Sequence, residues 1–314
     1  MLGVVSVDLH VTLHGKRQDL ELKNPILTAS GTFGYGAEFS AYGNLASLGG
    51  FIVKGLSLEP RQGNATPRIV ETTAGMLNAV GLQNDGVEHF LGKTLARLPW
   101  QETAVIANIY AASAEEFARL AARLDQDERI PALEVNISCP NVKKGGVLFG
   151  QDPRLAAEVT SAVCQSAPHK HVIVKLSPNV TDIAAMALAV EAAGADSISC
   201  INTLQGMSID YLSRRPRLAN VIGGLSGPAI KPVALRCVWQ VAQAVKIPVI
   251  GIGGISSCED ILEFIIAGAS AVEIGTAHFM DPRASFNMVR DLPKLCARLG
   301  ITSLTELRGS LKLD

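Results

Sequence analysis

The sequence predicts a (β/α)8 barrel of the TIM type. Three observations predict it: short Val- and Ile-rich runs recur eight times, segments of helical period separate them, and polar residues stand at the ends of the runs, where such barrels build their sites. The runs cover residues 25–30, 51–54, 104–110, 132–138, 172–176, 197–202, 248–253 and 271–275. Each is nearly continuous in apolar residues and bounded by Gly, Pro or Asn, the pattern of a parallel strand buried on both faces. Helical period marks 113–124, 153–167, 182–193, 228–245, 258–267 and 282–299, and Ser113 with Glu116 has the spacing of a capping box. Eight strands favour closure over an open sheet, because at that number side chains just fill the interior. Ahead of the first run, residues 7–13 alternate polar and apolar, turn at His14-Gly15-Lys16 and resume at Leu20–Leu22. This predicts an N-terminal β-hairpin covering the barrel bottom. Residues 1–314 read as one domain, since barrels of this kind reach such lengths undivided.

Composition narrows the function. With 48% hydrophobic and 18% charged residues the chain is of the globular class. A formal net charge of -1 with scattered basic residues argues against a nucleic-acid footprint, and the short basic cluster at 214–217 reads as a solvated loop. No basic segment precedes a long apolar block at the start, so no signal peptide is expected. The longest helix-like apolar stretch, 183–195, contains Glu191 and falls short of the roughly 20 residues a membrane span needs. A cytoplasmic protein with no membrane contact is expected. The six cysteines, at 139, 164, 200, 237, 258 and 296, form no metal-binding spacing, so no metal is expected in this chain.

Three connections after strands are long or glycine-bearing: 55–85, 203–227 and 140–152. Such βα loops concentrate function, and the third, with Gly145, Gly146 and Gly150, reads as a lid. The strand ends carry Ser30, Lys54, Asn108, Asn136 with Cys139, Lys175, Asn202 with Thr203, Gly253-Gly254 and Gly275-Thr276. Unpaired, each buried polar group would cost on the order of 1 to 3 kcal/mol, so a ligand is expected to satisfy them. The two glycine-bearing ends offer free backbone N–H groups beside helix starts, which suit a phosphate, although glycines at strand ends also serve as simple turns. Lys175 suits a ligand that gains negative charge on reduction, such as a flavin edge, or else belongs to a buried ion pair. The asparagines at 78, 136, 141 and 202 match the alternating donors and acceptors of a pyrimidine ring. Cys139 can be a nucleophile, a base or an inert buried thiol. The histidines lie mostly in loops and helices, and His169-Lys-His171 reads as a solvated loop.

Five segments carry a resemblance: Asn78-Ala-Val-Gly-Leu82-Gln-Asn84, Asn136-Ile-Ser-Cys139-Pro-Asn141-Val-Lys, Lys175-Leu-Ser-Pro-Asn, Asn202-Thr203-Leu-Gln-Gly-Met, and Gly223-Gly-Leu-Ser-Gly227-Pro-Ala-Ile-Lys-Pro. With them the chain resembles, over nearly its whole length, the class 1 dihydroorotate dehydrogenases, and among these the class 1B catalytic subunit. The resemblance implies FMN held by Ser30, Lys54, Gly55, Asn108, Asn136, Lys175, Ile201, Gly227, Gly253, Gly254, Gly275 and Thr276. It implies orotate held by Lys54, Asn78, Ala79, Val80, Gly81, Leu82, Asn136, Asn141, Asn202 and Thr203. Cys139 matches the class 1 base: it would take a proton from C5 of dihydroorotate while a hydride leaves C6 for the flavin. Lys54 would offset the substrate carboxylate and Lys175 the charge of the reduced flavin. The same resemblance implies NAD as final oxidant, reached through a partner subunit carrying FAD and an iron-sulfur cluster, and a homodimer within a heterotetramer. The alternatives are a class 1A enzyme using fumarate, a flavin barrel acting on another pyrimidine, or a non-catalytic barrel that only binds a phosphorylated ligand.

Overall fold

The computed structural model describes residues 7–138 and 149–313, and the strand and helix alternation is present in them. Along the chain, β1 (Val11–Leu13) and β2 (Leu20–Leu22) form an antiparallel hairpin, and β3 (Ile26–Thr28) and β4 (Gly50–Ile52) open the barrel. After β5 (Ile69–Thr72) and β6 (Gly75–Asn78), the barrel resumes with β7 (Ala104–Ile109), β8 (Ala132–Asn136), β9 (His171–Leu176) and β10 (Ser197–Cys200). The short strands β11 (Leu204–Met207), β12 (Ile209–Asp210), β13 (Arg215–Pro216) and β14 (Ile222–Ser226) follow. Then β15 (Val249–Ile252) and β16 (Ala271–Ile274) complete the barrel.

Eight of these strands make one parallel sheet in the order β3-β16-β15-β10-β9-β8-β7-β4, so neighbours in the ring are neighbours in the sequence of barrel strands. The two ends of the sheet meet where the Gly49 N–H donates to the Ile26 carbonyl at 3.0 Å. Helices Ala114–Asp125, Pro153–Ser166, Ile183–Ala192, Lys231–Ala244, Cys258–Ile266 and Ala284–Leu299 pack outside. Ser113 caps its helix by accepting from the Glu116 N–H at 3.2 Å. Glu116 returns its carboxylate to the Ala112 N–H, one residue before the position a capping box would use.

At the bottom of the barrel, Leu27, Ile52, Ile106, Ala132, Ile173, Ile250 and Ala271 point inward as one apolar layer. The hairpin seals it with Leu13, Leu20 and Leu22, all buried. The hairpin is also tied by polar contacts. Arg17 pairs with the buried Asp196 at 2.9 Å, and His171 bonds the Gln18 carbonyl at 2.9 Å and Ser197 Oγ at 2.7 Å. His171 is thus fully buried at the start of β9 rather than in a solvated loop, because both ring nitrogens find partners between hairpin and barrel.

The connections expected as open loops at 55–85 and 203–227 contain a four-stranded antiparallel sheet, β11-β14-β6-β5, with the small hairpin of β12 and β13 beside it. Its strands are short, and three of the four contain glycine, so no apolar run announces them. Val70, Leu77 and Leu218 form its own small core. Among the described residues, no helix is long and apolar enough to cross a membrane. Most of the 140–152 connection, including the expected lid glycines Gly145 and Gly146, lies outside the described residues.

Candidate active site

Strand periodicity converts the apolar bottom layer into the floor of a site. Side chains two residues apart on a strand face the same side. Stepping two residues up from Ile52, Ile106, Ala132, Ile173 and Ala271 gives Lys54, Asn108, Glu134, Lys175 and Glu273. The second layer of the interior is therefore polar and charged where the first is a hydrocarbon plug. Asn136 stands two further along β8, beside Lys175 in the register of the sheet.

Above this layer opens a cavity of 790 Å3, within the size range of small-molecule sites. It receives Ser30 and Lys54-Gly55 from the ends of β3 and β4, Asn108 and Asn136 from β7 and β8, Lys175 from β9, and Ile201, Asn202 and Thr203 from beyond β10. Gly253-Gly254 and Gly275-Thr276 line it from the ends of β15 and β16, with Gly227 between them. Asn78, Ala79, Val80, Gly81 and Leu82 reach it from the antiparallel sheet, which forms one wall together with Gly223 and Gly224. Every candidate residue that the structure describes thus lines this cavity. Cys139 and Asn141 lie outside the described residues; Ser138, the last residue before them, lines the cavity.

Hydrogen bonds hold these side chains in place. Asn202 donates to Asn136 Oδ1 at 3.4 Å and accepts from the Thr203 N–H at 2.7 Å. Asn78, the last residue of β6, donates to the Gly224 carbonyl on β14 at 3.3 Å, a side-chain tie between two strands of the wall. Thr276 donates to Ser226 Oγ at 2.8 Å. Asn108 gives its amide N–H to Glu134, but its carbonyl oxygen is buried with no partner. A buried, unpaired acceptor facing a cavity is costly unless a ligand donor meets it.

The glycine-bearing rim is close-packed. Gly254 has φ of 74°, and a Cβ there would come within 2.8 Å of the Lys231 N and 2.9 Å of the Gly227 carbonyl. Gly227 has φ of 97°, with the Gly75 Cα 2.6 Å from where its Cβ would stand. Both positions require glycine, because the space a side chain would need is filled by neighbouring backbone. His278 fixes the neighbouring turn: Nδ1 donates to the Gly275 carbonyl at 3.0 Å and Nε2 accepts from Ser285 at 2.6 Å. Burial pushes its pKa down to about 4, so the ring is neutral.

Lys175 belongs to a buried ion pair and to the cavity at once. Its Nζ lies 3.4 Å from Glu134 and 3.2 Å from Glu273, and all three side chains are almost wholly buried. Burial opposes the lysine's charge, but the two glutamates outweigh it and hold its pKa above the ordinary value. Neither glutamate is marked by a run-end reading, since each interrupts its strand instead of ending it. Asn179, which donates to the Thr203 carbonyl at 3.0 Å and lines the cavity, belongs to the quoted Lys175-Leu-Ser-Pro-Asn segment but was given no role by it. Lys54 lines the cavity from a half-buried position.

Comparison with known proteins gives concordant results. A family model described as "Dihydroorotate dehydrogenase" matches residues 12–296. A protein of Solidesulfovibrio magneticus named "Dihydroorotate dehydrogenase B (NAD(+)), catalytic subunit" is 63% identical over 309 residues, 98% of this chain and 100% of that protein. Proteins of the same name from Maridesulfovibrio salexigens and Trichlorobacter lovleyi are 60% identical over 94% of this chain and 59% identical over 93%, each aligned over 96% of its own length.

Proposed function

The chain belongs to the dihydroorotate dehydrogenase family, and from that premise we infer that it oxidises (S)-dihydroorotate to orotate, a step of pyrimidine biosynthesis. The observation that carries the reading is the convergence of every described candidate residue on one cavity whose floor is charged and whose rim is glycine-bearing.

FMN is the cofactor we propose, and the residues present fit it. The orphaned Asn108 carbonyl oxygen offers an acceptor to a ring N–H. The Gly253-Gly254 and Gly275-Thr276 turns bring side-chain-free backbone to the cavity wall, which suits a phosphate, the role that the last two strands of such barrels often take. Ser30, Gly55, Asn136, Ile201 and Gly227 complete the proposed cofactor contacts. Bound there, FMN supplies a hydride acceptor for the substrate.

The remaining work falls to side chains of this chain. Lys54 offsets the substrate carboxylate, while Asn78, Ala79, Val80, Gly81 and Leu82, with Asn136, Asn141, Asn202 and Thr203, match the polar edge of the pyrimidine ring. Cys139, as thiolate, takes the proton from the substrate's C5. Holding proton acceptor and hydride acceptor on opposite sides of one bond lowers the barrier chiefly through placement. Lys175 sets positive charge beside the position where negative charge develops.

The relatives' name, with "catalytic subunit" and "NAD(+)", supports the further reading that electrons pass to NAD through a second subunit, for which FAD and an iron-sulfur cluster are the carriers we propose, in a heterotetramer built on a homodimer of this chain. A cytoplasmic site of action belongs to the same reading; the described cysteines are all unpaired thiols, as a reducing compartment leaves them.

The test is an acceptor panel on the purified, yellow chain. Dihydroorotate should reduce an artificial dye rapidly and NAD only poorly until the partner is added, and Cys139→Ala should keep the flavin while losing nearly all turnover. Rapid turnover with fumarate would favour the class 1A alternative, and a colourless chain that takes up no FMN would overturn the enzyme reading.

A further inference from the structure

Three titratable groups share the barrel interior directly beneath the cavity: Glu134 on β8, Lys175 on β9 and Glu273 on β16. Their hydrogen-bonding environments differ. Glu134 accepts from Asn108 Nδ2, from Ser199 Oγ at 2.8 Å and from Lys175, so donors surround its carboxylate. Glu273 accepts only from Lys175, at 3.2 Å to Oε2, and its Oε1 has no partner. The strands packed on β16 add no further charge at this level: β3 brings Leu27 and Thr28, and β15 brings Ile250 and Ile252. The charged groups that bear on Glu273 are Glu134 and Lys175; Lys54, in the same layer on the far strand β4, is only half-buried, faces the cavity and makes no ion pair with either glutamate.

If all three of the fully buried, directly paired groups were ionised, the set would carry one uncompensated negative charge enclosed by protein, which is strongly disfavoured. Two carboxylates that face each other also have no donor between them, whereas a carboxyl and a carboxylate share one. We propose that Glu134 and Glu273 hold one proton between them, resting on Glu273, so that the set beneath the cavity is electrically neutral and Lys175 always meets one negative charge. The direction of the titration shifts agrees. Burial favours the neutral acid for both glutamates; Lys175 and the hydrogen bonds hold Glu134 below the usual range, while Glu134 drives Glu273 well above it.

The consequence concerns the cofactor, and it rests on the proposed occupancy of the cavity by FMN. Glu134 and Glu273 act through Lys175 and are positioning residues. If either carboxylate is lost, the other can supply the counter-charge by keeping or releasing the shared proton, so the field at the ring site is buffered.

A double-mutant cycle reads this directly. The two-electron reduction equilibrium of the bound flavin should move less than about threefold in Glu134→Gln and in Glu273→Gln separately. In the double variant Lys175 loses all compensation, and the equilibrium should shift at least tenfold towards the reduced form, about 30 mV. Additive shifts, or a tenfold shift in Glu273→Gln alone, would overturn the proposal. Infrared spectroscopy supplies a second readout that needs neither flavin nor folded variants: the parent protein should show the C=O stretch of a buried neutral carboxylic acid, and its absence would overturn the shared proton. A protein that shows this band but takes up no FMN would instead contradict the proposed function.

Discussion

His278 shows how one side chain can serve a site it does not enter. Its ring is 3% exposed, donates to the Gly275 carbonyl and accepts from Ser285, which fixes the turn that leads into Thr276. The folded protein holds this histidine neutral with a pKa of about 4, whereas in an unfolded chain it would titrate near its ordinary value of 6.5. The unfolded state therefore binds more protons between those values, and the stability from His278 is complete above about pH 6.5 and declines as pH falls towards 4. From pH 7 to pH 5 the loss from this group should be about 2 kcal/mol. Urea denaturation across that range should show a shallower decline for His278→Gln than for the parent, and equal slopes would contradict the assignment. At this scale the sequence reveals the polar residues that end apolar runs, such as Lys54 and Asn136. It hides Glu134 and Glu273, because an acid inside an apolar run looks like an interruption until the bottom layer is known and the period of two is counted upward from it.

At the scale of elements, the eight barrel strands were legible because burial on both faces makes each a continuous apolar run. The wall sheet was not. In β11 and β14, glycines stand where apolar side chains would mark a strand, and close approaches require them: a Cβ on Gly224 would meet Thr203 Oγ1. From sequence those strands look like long connections at the cavity, and their internal order appears only in the structure. The hairpin of β1 and β2 is legible from alternation and from the turn at His14-Gly15-Lys16, and its position explains its energetic role. Leu22 is fully buried against the bottom layer, far along the barrel from the cavity. Leu22→Ala should lower stability by about 2 to 5 kcal/mol, the range for large-to-small changes in a core. Denaturant midpoints check the loss, and kcat of the folded protein should be unchanged. A fall in kcat with stability retained would mean that the hairpin acts on the site as well as sealing the barrel.

Across the whole molecule, the barrel separates stability from chemistry along one axis. An apolar plug occupies the bottom, a compensated charged layer lies above it, and a polar cavity opens at the C-terminal ends of the strands. Strand count and alternation made that plan legible, since eight strands connected in order leave few arrangements other than a ring. The chemistry at the mouth is legible only where residues end strands or belong to the motifs of the resemblance; Cys139, the proposed base, and Asn141, a proposed substrate contact, lie outside the described residues. The most direct measurement is anaerobic mixing of the purified chain, loaded with FMN, with dihydroorotate and no other acceptor. The visible absorbance of the flavin should bleach within the time of a few turnovers, with one orotate formed per flavin. Flavin that stays oxidised in the presence of saturating dihydroorotate would contradict the account.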